Sequence, residues 1–149
     1  MGRFIDRILL GSKFAALEFF PINGKDMSAF IEVVRKKDEL TIVKSFFCPT
    51  EELKNEKTSS IVALIVNNSN VLTKEVTGSE PEDRKLLHKA FPNLELTDFH
   101  YEIWRKDTVS IVSICRKNYI ENVLKELSAF TIISINLGIP VISNLIGVR

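Results

Sequence analysis

The feature that most limits the folds open to this chain is the unbroken apolar run Ile61-Val62-Ala63-Leu64-Ile65-Val66. A run so rich in β-branched residues suits a strand covered on both faces, and therefore one in the middle of a sheet. Asn67-Asn68-Ser69-Asn70 supplies turn chemistry, and Val71-Leu72-Thr73-Lys74-Glu75-Val76 mixes apolar and charged positions as a less buried strand would. Residues 60–76 accordingly read as a hairpin around which the rest is arranged. The stretch holds no nucleophile beside a base and no cluster of ligands.

The chain before it is β-rich. Residues 14–20 (FAALEFF) read as a strand interrupted by Glu18, and residues 28–35 and 40–47 as two more. Turn residues Pro21-Ile22-Asn23-Gly24 and the charged Lys36-Lys37-Asp38-Glu39 separate them, so three consecutive antiparallel strands are the simplest arrangement. Residues 1–10 place Phe4, Ile5, Ile8 and Leu9 at helical spacing, with Gly11-Ser12 as the stop. Residues 50–57 are polar apart from Leu53 and predict a short exposed helix.

Beyond residue 76, Ser79 and Glu82 have the spacing of a capping box, followed by the apolar stripe Leu86, Leu87, Ala90 and Phe91 and the stop at Pro92. Residues 98–105 and 108–115 form a second hairpin around Lys106-Asp107, with Phe99, Tyr101 and Ile103 on one face and His100, Glu102 and Trp104 on the other. Residues 109–115 read as another central strand, 118–128 as an amphipathic helix and 130–135 as a strand, a β-α-β unit of the kind that crosses over to a parallel neighbour. Gly138 and Pro140 open a last helix over 141–146.

Bulk properties exclude several functions. A formal net charge of +1 offers no basic excess to a nucleic acid or an anionic membrane, so neither is expected as a partner. No apolar run approaches the roughly 20 residues of a membrane span, and residues 1–10 do not make a secretory signal. The expectation is a soluble chain in the cytoplasm with free thiols at Cys48 and Cys115. His88 and His100 lack convergent partners, and Glu18 and Glu32 fall short of the several strand-borne acids of a two-metal nuclease. No catalytic residue, metal site or cofactor is expected.

Three stretches carry a family resemblance. Residues 61–66 with 71–76 resemble a segment of the PilM family of type IV pilus assembly proteins, and residues 112–127 (VSICRKNYIENVLKEL) resemble a second. Residues 131–144 (TIISINLGIPVISN) resemble a third, with Pro140 at the family's proline and Asn136 where an aspartate is usual. The cytoplasmic part of the type II secretion protein GspL is of the same kind. The resemblance implies an α/β fold with a mixed sheet of the actin-like or ribonuclease H-like type, three antiparallel strands then βαβ, and an inserted small α+β lobe. The chain would be the first half of such a domain, cut from a longer protein, with its core at 12–76 and 108–149 and the inserted lobe at 77–107.

Family members that hold ATP carry an Asp-x-Gly-Ser loop between two strands. The matching stretch here is Leu9-Leu10-Gly11-Ser12-Lys13, with Leu9 in place of the aspartate, so only Gly11, Ser12 and Lys13 remain to touch an anion. The resemblance thus implies a non-catalytic scaffold of a bacterial secretion or pilus-like machine, at the inner face of the inner membrane, working through contacts with other assembly proteins. The alternative is the N-terminal lobe of an actin-like ATPase or a sugar-kinase-like enzyme. PilM-type proteins take a short cytoplasmic peptide of a membrane partner between core and inserted lobe, which makes Phe91, Phe99, Tyr101 and Trp104 the candidate partner-binding residues. A homodimer is left open.

Overall fold

The computed structural model describes residues 13–138. Their strands and helices are β1 (Lys13–Ile22), β2 (Lys25–Lys36), β3 (Glu39–Pro49), β4 (Ile61–Val66), β5 (Val71–Thr77), α1 (Asp83–Ala90), β6 (Phe99–Lys106), β7 (Val109–Arg116), α2 (Lys117–Glu126) and β8 (Thr131–Leu137). They form a five-stranded sheet of order β3-β2-β1-β4-β8 and a three-stranded sheet of order β5-β7-β6.

β1, β2 and β3 are successive antiparallel neighbours, whereas β4 runs parallel to β1 and β8 parallel to β4. The apolar run 61–66 is thus an interior strand, as its composition demands. Val62, Leu64 and Val66 point to one face and are closed off from solvent. They meet Leu17 and Phe19 of β1, Phe30 of β2, and Ile120, Val123 and Leu127 of the α2 region. α2 forms because Tyr119, Ile120, Val123 and Leu127 recur at helical spacing on the side that covers this face. Leu53, alone in a polar segment, is buried in the same core, and the 3₁₀ turn Thr50–Asn55 that holds it is exposed only on its polar side. On the sheet's other face Phe20, Ala29, Ile31 and Ile65 form a second buried cluster. Glu18 lies on that face fully buried, in a β1 that continues through it uninterrupted.

The three-stranded sheet is covered on one side by α1, whose Leu86, Leu87 and Ala90, with Phe91, pack on Val112 and Ile114 of β7 and on Phe99 and Ile103 of β6. No side chain caps α1, and the capping box expected from Ser79 and Glu82 is not formed. Arg105 instead fixes the approach to the helix, donating to the Glu80 and Pro81 carbonyls at 3.4 and 3.3 Å and pairing with Asp83 at 2.7 Å.

Strand partnership departs from the sequence expectation in three linked ways. Residues 60–76 are not a hairpin, because both edges of β4 are taken by β1 and β8 and β5 joins the other sheet. The Asn turn carries the chain between sheets: Asn70 N donates to Asn68 Oδ1 at 3.0 Å and Val71 N to Asn68 O at 3.0 Å. Likewise β7 has both edges filled by β5 and β6, so the parallel neighbour of β8 is β4. Strands 71–77 and 109–116, placed by sequence with the core, therefore share one sheet with β6. The helices expected over 1–10 and 141–146 lie outside the described residues.

Candidate partner-binding site

The two sheets meet along a seam at the carboxyl end of β8. Glu102 of β6 reaches across it, accepting from Asn136 Nδ2 at 2.9 Å and from the Leu137 backbone N–H. Gly138 N donates to Val66 O at 2.9 Å and turns away with a positive φ of 79°. A side chain there would overlap Ser113 Oγ of β7, which bonds Thr73 Oγ1 of β5 at 3.0 Å. The seam is thus a close approach that only glycine permits.

Trp104 lies two residues beyond Glu102 on the same face of β6, away from α1. Its side chain is 51% exposed. Opposite it stands Ile111, and with Val109, Thr108, Asp107 and Lys106 they line a hollow of about 270 Å³. β6 is an edge strand of its sheet, so a backbone edge runs beside the tryptophan.

The four aromatic candidates do not line one groove. Tyr101 faces the α1 side of β6, half exposed, with its hydroxyl donating to Asp83 at 3.4 Å. Phe91 is buried beneath α1 with the Lys74 ammonium 5.0 Å from its ring, and Phe99 packs on the same cluster under Arg116 at 5.2 Å. Their apolar area is spent within the lobe, which leaves Trp104 as the exposed aromatic of the seam face. Of the anion candidates, Gly11 and Ser12 lie outside the described residues. Lys13 opens β1 and pairs with Glu32 at 2.7 Å, so its charge is already engaged.

Among the described residues, the loop joining the first two strands of the sheet is Asn23-Gly24. Ile22 pairs directly with Lys25, and both turn residues have positive φ, 51° and 77°. This is a two-residue hairpin turn of the primed kind. At the carboxyl end of β4, where open sheets form ligand crevices, the buried Asn68 donates to Asp26 at 3.3 Å and to the Tyr119 hydroxyl at 2.9 Å. Burial raises the Asp26 carboxyl above its ordinary value against the opposing hydrogen bonds from Asn68 and Thr50, and burial also raises the Tyr119 hydroxyl. Burial pushes the Cys115 thiol up to about 11, which keeps it protonated and unreactive at neutral pH. Among the described residues no three His, Cys, Asp or Glu side chains gather as a metal site would require.

Glu102 and Asn136 are the site residues that sequence reasoning missed. The available signal was Asn136 itself, standing where the resembled family carries an aspartate. An amide there can donate to Glu102, which a carboxylate cannot.

A five-stranded mixed sheet with three antiparallel strands, two parallel ones and a second sheet inserted between β4 and β8 is the actin-like fold. Two solved structures share it at low identity. The cytoplasmic domain of EpsL, an inner membrane component of the type II secretion system of Vibrio cholerae, aligns with a TM-score of 0.50 and 14% identity over 82% of this chain and 57% of that one. A chain of the PilM–PilN type IV pilus biogenesis complex aligns with a TM-score of 0.58 and 13% identity over 83% of this chain and 47% of that one. The chain thus spans about half the length of the structures it matches. No protein-family model matches the sequence, and no curated protein does. Among the described residues no helix is long and apolar enough to cross a membrane.

Proposed function

We propose that this chain is a non-catalytic actin-like scaffold of a bacterial secretion or pilus-assembly machine, working in the cytoplasm at the inner membrane by capturing a short extended peptide of a membrane partner. The observation that carries the reading is the exposed Trp104, on an edge strand beside the seam between the two sheets. A half-exposed tryptophan beside Ile111 and Val109 is of the residue type that dominates binding energy at protein interfaces. A strand edge that no described strand occupies gives an extended peptide backbone partners while its alternate side chains reach the Trp104 hollow. The names of the two structural neighbours, one an inner membrane secretion component and the other a pilus biogenesis complex, supply the setting. The internally satisfied Asn68 network favours a scaffold over a nucleotide enzyme.

The test is calorimetric titration of the protein with synthetic peptides of the N-terminal cytoplasmic tails of inner membrane assembly proteins from the same genome. One such tail should bind, and Trp104→Ala should weaken that binding by roughly tenfold or more. Because Trp104 is half exposed, the thermal midpoint should hold. Loss of folding instead would make Trp104 a core residue and remove the site.

A further inference from the structure

Much of the exposed large apolar surface of the described residues lies on β3, far from the seam. Leu40, Ile42, Val43 and Phe47 are each more than half exposed. β3 pairs with β2 along one edge and with no described strand along the other. An edge strand this long and this apolar is a template for another strand.

A bulge decides which strand fits. The β2–β3 register slips so that Lys44 faces Glu32 while Ile42 faces Val33, leaving Val43 as the extra residue. Leu40 and Ile42 consequently share a face with Ser45 and Phe47, across from Arg35, Val33, Ile31 and Ala29 of β2. A regular partner strand would match one half of β3 and present its wrong face to the other half. The partner must carry the same one-residue slip at the same place, and β3 itself carries it.

We propose that β3 pairs antiparallel with β3 of a second copy of this chain, about a two-fold axis between Val43 and Lys44, joining two five-stranded sheets into one. In that register Leu40 opposes Phe47 of the second copy, Ile42 opposes Ser45, and Thr41 opposes Phe46. Every residue meets one from its own face on both sides of the bulge. Lys44 does not guard the edge. Its ammonium lies over the Phe30 and Phe46 rings at 5.8 and 5.3 Å and pairs with Glu56 at 3.3 Å. The pairing leaves β6 and Trp104 open, because β3 and β6 belong to different sheets, so it stands or falls apart from peptide capture.

Sedimentation of the 149-residue chain from about 1 to about 300 µM tests the pairing. A reversible monomer–dimer equilibrium is expected. Leu40→Lys should raise the dissociation constant roughly tenfold or more with an unchanged melting curve. A monomer throughout the range, or a dimer indifferent to Leu40→Lys, would overturn the proposal.

Discussion

Glu32 shows how single side chains hold this fold. It is buried on β2, where Lys13 of β1 meets it at 2.7 Å and Thr58 Oγ1 donates to it at 2.9 Å. Burial alone would raise its carboxyl, yet the bonds from Lys13 and Thr58 and the charges of Lys13 and Lys44 hold it below the ordinary 4.5. A carboxyl depressed in the folded state stabilises above its unfolded pKa, and that contribution disappears as pH falls through the lower folded value. Glu32→Gln should therefore destabilise the protein by about 1–2 kcal/mol at pH 7. The gap should close in denaturant titrations carried below the usual carboxylate range; a gap independent of pH would mean that packing is at stake, not charge. Sequence placed Glu32 on a strand but gave no hint of Lys13 or Thr58, because cross-strand partners depend on register. Residue alternation did separate Tyr101 from Trp104 correctly. It was silent on which face α1 would cover, so both were expected at one groove.

At the scale of elements, the seam between β6 and β8 fixes the second sheet on the first. It depends on Asn136 being an amide. Asn136→Asp, the residue usual in the resembled family, would set two carboxylates within hydrogen-bonding distance and should cost about 1–3 kcal/mol near neutral pH. The cost should shrink in acid, where one carboxyl of the pair takes a proton and becomes a donor again, so thermal melts at pH 7 and pH 4 should differ in the size of the defect. An equal defect at both would remove the charge argument. Most elements were legible from periodicity: β1 to β4, the α1 stripe, the β6–β7 hairpin and α2 each lie within a few residues of expectation. The partners of β4, β5 and β8 were not, since a turn at 67–70 marks a change of direction without saying which edge is already occupied. Leu53 was missed as core for a related reason. One apolar residue in a polar segment has no period to read.

At the scale of the molecule, the actin-like order β3-β2-β1-β4-β8 puts a two-residue turn between β1 and β2, and puts the exposed tryptophan on the inserted sheet. The family resemblance supplied the fold class, which local patterns support without specifying. The loop it singled out, 9–13, lies almost wholly outside the described residues. Trp104 is the chain's single tryptophan, so its emission reports on the seam alone. The most direct measurement is therefore a fluorescence titration of the protein with the membrane-partner tail peptide and, in parallel, with magnesium ATP. The account predicts a saturable blue shift with peptide and no change with the nucleotide; saturation by ATP at micromolar levels, with no response to any peptide, would contradict it.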